Sequence, residues 1–181
     1  MDLTALWAEL GVPRNYGAAR NLTLQTEADS TTLVAVALKE DGVPILLTPP
    51  AVVAWVEMRR AAAEAGLTLI PVSGFRSIAR QTAIVREHLA AGRTLDDILR
   101  LVAAPGYSEH HTGRAVDVTA PDDLPLEEGF AQTTAFAWLS RNAANYGFTL
   151  SFPRHNPHGI AYEPWHWLWQ PTVTPHAPSS N

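Results

Sequence analysis

Apolar residues recur at helical spacing in several stretches of the chain. Val52, Trp55, Val56 and Ala63 share a face of a segment that opens after Pro50 and stops at Gly66. Ile78, Thr82, Val85 and Leu89 repeat in the same way, and Gly92 ends that run. Thr94 and Asp97 form a capping pair for a short helix reaching about Ala103. Phe136, Leu139, Ala143 and Tyr146 form a further stripe, with Gly147 as its stop. Strand-like runs lie between these segments, at Leu33 to Leu38, Pro44 to Thr48, Leu67 to Val72, Arg114 to Thr119, Phe148 to Phe152 and Trp165 to Trp169. The first two are joined through Asp41-Gly42 and read as a hairpin. Helices and strands alternate with no repeated strand–helix unit. The pattern predicts an α+β fold, a small central antiparallel sheet with flanking helices.

Composition narrows this. A chain of 181 residues that is 46% apolar supports one sizeable core, and folding at this length buries about 70% of the unfolded surface. The expected organisation is a single catalytic domain over residues 1–170, followed by a flexible tail, 171–181, rich in Pro, Ser and Thr. Only 17% of residues are charged and the net charge is −5, which argues against a nucleic-acid partner, since that needs a basic face. Cysteine is absent, so disulfides, thiolate metal sites and a cysteine nucleophile are excluded. No run approaches the roughly 18 apolar residues of a membrane span. Asp2 stands where a signal peptide needs basic residues, and Glu9 interrupts the apolar start. As given, the chain reads as cytoplasmic; a removed leader would place it in the periplasm or cell wall. Oligomeric state is not legible.

Polar residues concentrate beside three of the strand runs. In Arg114-Ala115-Val116-Asp117-Val118, Asp117 shares a face with Ala115 and opposes Val116 and Val118. His110, or its neighbour His111, comes from the loop just before, and an imidazole and a carboxylate converging on one ion suit zinc. In Trp165-His166-Trp167-Leu168-Trp169 the tryptophans face one way and His166 the other. His166 completes a set of three protein ligands and leaves a fourth position for water, the open arrangement of catalytic zinc. On a straight strand Glu163 would face away from His166, so it reaches the same site only if the chain bends at Glu163-Pro164. Ser73-Gly74-Phe75-Arg76-Ser77 supplies a cation at a turn before a helix, and an arginine there grips a carboxylate with two parallel hydrogen bonds. Gln81 lies about one turn inside that helix. His155 and His158, three apart in a Pro/Asn/Gly loop, offer a second metal site or a flap over the cleft; His88 and His176 read as solvated.

Taken together, Ser73-Gly74-Phe75-Arg76-Ser77, then Ser108-x-His110-x-x-Gly113-x-Ala115-x-Asp117, then Glu163-x-Trp165-His166 resembles the zinc D-Ala-D-Ala carboxypeptidase family. That family belongs to a wider group with the lysostaphin-type endopeptidases and the hedgehog signalling domain. The resemblance covers about Ser73 to His166. It implies a hedgehog/DD-peptidase-like fold with the metal in a groove over the sheet. It further implies Zn2+ held by His110, Asp117 and His166, with Glu163 as catalytic base. Arg76, Gln81, Ser108 and Trp165 then contact substrate, with Arg76 also serving in catalysis. Relatives commonly carry an arginine two residues beyond the last histidine ligand; here that position is Leu168, and Arg154 is a candidate substitute. The implied function is removal of a terminal D-Ala, by D,D- or L,D-cleavage, from peptidoglycan stem peptides or muropeptides. A phage-type endopeptidase of the same fold and a non-catalytic zinc-containing binding module are the alternatives, and Glu163 separates them, because a binder needs no base.

Overall fold

A computed structural model describes residues 2–121 and 123–171. The expected tail, but for Pro171, lies outside the described residues, as does His176. Helix α1, Leu3–Leu10, starts at Asp2, whose carboxylate accepts from the Thr4 and Ala5 amides, and stops at Gly11 in the left-handed region. Helix α2 is a single turn, Tyr16–Ala19. These two helices are absent from the expected elements, although Asp2, the Leu3–Leu6–Leu10 spacing and Gly11 carry a start, a stripe and a stop. Strands β1, Val34–Leu38, and β2, Pro44–Leu47, form the expected hairpin, with a register shift between Ala35 and Ala37. Helix α3, Pro49–Glu64, begins on two prolines, where missing amide protons cost nothing. Strand β3, Ile70–Ser73, is followed by α4, Ile78–Ala90, and α5, Leu95–Leu101, the latter capped by Thr94. Then come β4, Ala115–Thr119, α6, Thr134–Asn142, β5, Phe148–Leu150, and β6, His166–Trp169.

The fold is α+β with small antiparallel sheets, as the pattern predicted, but the strands divide into two sheets. The β1–β2 ribbon is separate from a four-stranded sheet in the order β3-β4-β6-β5. Two backbone bonds join them, from the Phe75 amide to the Leu46 carbonyl at 2.7 Å and from the Thr48 amide to the Gly113 carbonyl at 2.8 Å. Gly74 sits at this crossing, and a Cβ there would lie 2.5 Å from the Leu46 carbonyl oxygen, so only glycine fits.

Two apolar clusters result. One packs Trp55, Met58, Val116, Val118, Leu139, Phe148 and Trp167 between the sheet, α3 and α6. The other joins Leu6, Leu10 and Tyr16 of the first two helices to Val85, Ile98 and Leu99 of α4 and α5. Trp55, Met58, Val85 and Ile98 are fully buried, each gaining about 1.5–3 kcal/mol from leaving water. Trp165, packed on the first cluster, and Val102 and Ala103, packed on the second, line one cleft with His110, Asp117, Glu163 and His166. Among the described residues, no helix is long and apolar enough to cross a membrane.

Candidate active site

Asp117 on β4 and His166 on β6 are register partners in adjacent antiparallel strands, so their side chains emerge side by side on one face. Val116, Val118 and Trp167 occupy the other face, in the core. His110 arrives from a 3-10 turn, Glu109–Thr112, that ends at Gly113 in the left-handed region before β4 begins. Its ring centroid lies 4.9 Å from that of His166. One donor atom from each of His110, Asp117 and His166 lies within 4.8 Å of the others, and all three residues are buried. The Asp117 carboxylate spans both rings, with Oδ1 2.9 Å from His166 Nδ1 and Oδ2 3.2 Å from His110 Nε2. Two ligand atoms about 2.1 Å from a tetrahedral ion stand about 3.4 Å apart, so the spacing suits zinc.

The surrounding bonds decide which ring nitrogens face the ion. His110 Nδ1 lies 2.6 Å from the Gly74 carbonyl, which can only accept, so Nδ1 carries the proton. Burial holds the His110 pKa below its usual value despite the Asp117 charge. Its Nε2 lone pair therefore faces an Asp117 oxygen with no proton between, and a cation is what satisfies both. His166 Nε2 donates to a Glu109 oxygen at 2.8 Å, leaving Nδ1 for the ion. Burial alone would lower the His166 pKa, but its bonds to Asp117 and Glu109 raise it to about 10 in the metal-free protein. The charged His166 ring bonded to it holds the Asp117 carboxyl far below the usual carboxylate range, against burial. The residues thus fit a zinc ion through His110 Nε2, an Asp117 oxygen and His166 Nδ1.

The chain turns at Glu163-Pro164-Trp165-His166, where the His166 amide bonds the Glu163 carbonyl at 3.1 Å. This turn brings Glu163 to the His166 side, with Oε2 4.0 Å from His166 Nδ1. Burial, with some help from the Asp117 and Glu109 charges, raises the Glu163 pKa to about 7. Arg76 stands in the same cleft, its Nη1 donating to Gln81 Oε1 at 3.0 Å and its Nη2 to Ser73 Oγ at 3.4 Å. The cleft encloses about 250 Å³, and Arg76, Ser108, Glu163 and Trp165 line it beside the three metal-site residues.

Gln81 is placed differently from the other residues expected at the substrate. It is fully buried and is not among the residues lining the cleft. Its oxygen accepts from Arg76, and its nitrogen donates to the Ala103 carbonyl at 2.6 Å. Both ends are occupied, so it props Arg76 against the cleft wall. His111 points away from the ion site, donating from Nδ1 to the Arg76 carbonyl at 2.6 Å and accepting at Nε2 from the Gly106 amide at 3.1 Å. His155 is exposed, and His158 Nδ1 donates to the Arg20 carbonyl at 3.0 Å. Leu168 is buried opposite Ala115, and Arg154 is engaged at the surface with Glu128 and the Tyr162 ring.

Sequence reasoning passed over Glu109, because an acid preceding a histidine has no spacing signal of its own; the 3-10 turn aims it at His166. Orienting carboxylates of this kind contribute about 10–100-fold to metal affinity. Glu109→Ala is expected to weaken zinc binding by that factor in a chelator competition. Glu109→Gln should stay nearer the parent, since an amide oxygen still accepts from Nε2. An unchanged affinity in the alanine variant would show that Glu109 orients nothing.

The family model described as VanY, D-alanyl-D-alanine carboxypeptidase, matches residues 44–172, well over half of the chain. The chain belongs to the D-alanyl-D-alanine carboxypeptidase family. This family member is 37% identical over 110 residues to YodJ of Bacillus subtilis (strain 168), provisionally named a carboxypeptidase; the match covers 59% of this chain and 40% of that protein. It spans about two fifths of the length of the first curated relatives it matches. Among solved structures, the LdcB LD-carboxypeptidase superposes with a TM-score of 0.71 at 30% identity, over 78% of this chain and 69% of that one. A variant of the D,D-pentapeptidase VanY in complex with Zn(II) superposes with a TM-score of 0.58 at 26% identity, over 82% and 85% of the two chains. The family resemblance read from the motifs is therefore correct, and the fold is the one it implied.

Proposed function

We propose that this protein is a zinc-dependent carboxypeptidase that removes a terminal D-Ala from peptidoglycan stem peptides. One observation carries the reading: the buried His110–Asp117–His166 donor set shares a cleft with a carboxyl poised near neutrality, Glu163, and a guanidinium, Arg76. Zinc bound there supplies Lewis acidity, polarising the scissile carbonyl and acidifying a water. Glu163 takes a proton from the attacking water and delivers it to the leaving amine, a task suited to a group whose pKa lies near the working pH. Arg76, held by Gln81 and Ser73, turns its remaining N–H groups to a carboxylate or a developing oxyanion. Trp165 and Ser108 shape the wall along the peptide.

The test is incubation of the zinc-loaded protein with tripeptide-, tetrapeptide- and pentapeptide-stem muropeptides, followed by mass measurement. Loss of one alanine from the tetrapeptide marks L,D-cleavage, and loss from the pentapeptide marks D,D-cleavage. If no substrate loses alanine, the reading fails. Arg76 has its own test. If it holds the substrate's free carboxylate, Arg76→Ala should lose at least about 10-fold more kcat/KM on free-acid peptides than on amidated ones, the size of a charge-assisted bond. Equal losses would assign Arg76 to the oxyanion, where one donor supplies about 3–4 kcal/mol.

A further inference from the structure

Residues 1–43 precede the family-matched span, yet part of this stretch braces the cleft from behind. Arg20 Nη1 donates to the Leu99 carbonyl at 2.7 Å, in the last turn of α5, and to the Gly159 carbonyl at 2.9 Å. The Arg20 carbonyl accepts from His158 Nδ1 at 3.0 Å, and its guanidinium lies 5.0 Å from the centre of the Tyr16 ring. Beside these bonds, the Ala161 amide donates to the Arg100 carbonyl at 2.7 Å. The two segments joined here meet as adjoining lips of the cleft, Leu101, Val102 and Ala103 from one and Ile160 and Ala161 from the other. Leu99 is one of the α5 carbonyls left without a helical partner, so a fixed donor is needed there.

The stretch continues in the same role. The Gln25 amide donates to the Gly106 carbonyl and the Ala28 amide to the His111 carbonyl, each at 2.8 Å, and the Glu27 carboxylate accepts from the Ile78 amide at the start of α4. Backbone and side chains of residues 20–28 thereby touch the loops on either side of His110 and the helix that follows Arg76.

We propose that Arg20 is a positioning residue for substrate: by tying the end of α5 to the 158–161 segment, it fixes how two adjoining stretches of the cleft wall that receives the peptide sit against each other. Both bonds leave the one Nη1 nitrogen, which reinforces the Ala161–Arg100 backbone bond between the two lips, and a lysine ammonium on its more flexible stem holds the same two carbonyls less firmly. The effect on substrate rests on the carboxypeptidase reading; the effect on the lips does not. A wall that holds ground state and transition state alike changes KM and leaves kcat alone.

The experiment compares Arg20→Met, Arg20→Lys and His158→Ala with the parent zinc-loaded protein. Amide hydrogen exchange is followed across residues 99–103 and 158–162, and kinetics are run on the stem peptide the parent cleaves best. Arg20→Met is expected to speed exchange of the Ala161 amide at least about 10-fold and to raise KM about 10-fold. Its kcat and zinc content should stay within about two-fold of the parent, the split that separates uniform binding from chemistry. Arg20→Lys should recover part of both effects, and His158→Ala should show the same changes at smaller size. Unchanged exchange at Ala161 overturns the proposal. So does a rise in KM accompanied by a loss of kcat and of zinc content in Arg20→Met and His158→Ala alike, which would make the contact a general support of the fold. If the parent itself cleaves no stem peptide, the carboxypeptidase reading has failed, and the exchange data alone judge the tie between the lips.

Discussion

Glu163→Gln is expected to cut turnover steeply and to leave zinc content unchanged. The expected loss in kcat is about 10²–10⁴-fold, the contribution of a positioned general base. Glutamine fills the same volume in a side chain that is only 13% exposed, so the fold and the zinc content should match the parent. Burial gives the Glu163 carboxyl a pKa of about 7 in the metal-free protein. A divalent cation nearby favours the carboxylate and moves that value down. The base works when deprotonated, so kcat/KM of the parent should rise with pH and level off at or below neutrality. That acid limb should vanish from whatever residual rate the glutamine variant shows. Parent-like release of D-Ala by Glu163→Gln would remove this residue from the mechanism and reopen the binding-module alternative.

Zinc retention should collapse in Asp117→Ala. The carboxylate lies between both imidazoles, 2.9 Å from His166 Nδ1 and 3.2 Å from His110 Nε2. Its removal deletes the anionic member of the proposed ligand set and leaves His110 Nε2 and His166 Nδ1 without their shared partner, a loss larger than the roughly 10–100-fold attached to orienting groups. The variant should lose its zinc on dialysis, and zinc should no longer raise its Tm, since a ligand stabilises only the state that binds it. In the parent, Asp117 and Glu109 hold the metal-free His166 protonated up to about pH 10. Zinc must displace that proton from Nδ1, so apparent affinity should increase with pH across the neutral range. Metal analysis of the alanine variant showing one bound zinc per chain would refute the assigned ligand set.

Single residues show what could be read from the chain and what could not. The helix over Pro49–Glu64 follows from apolar spacing bounded by proline and glycine, signals that are local. The Asp41-Gly42 turn and the strand holding Asp117 were equally open, because alternation has a period of two wherever one face is buried. Gln81 sits at the expected helical position, but its amide is spent on Arg76 and Ala103, partners fixed by packing of two segments far apart in sequence. Glu109 meets His166 across 57 positions, and no local rule reports that distance. Neither the separation of the hairpin from the main sheet nor the brace from Arg20 has a periodic signature.

By itself the sequence determined the α+β class and most element positions, because spacing is a property of neighbours along the chain, while the side chains proposed to hold and use a metal came from the family resemblance of its motifs. Only the tertiary structure decided which nitrogens of His110 and His166 turn to Asp117, that the His111 ring is bonded instead to Arg76 and Gly106, and what stands behind Arg76. Those choices depend on buried groups finding partners from distant segments, and a buried donor or acceptor takes whatever partner the packing brings to it.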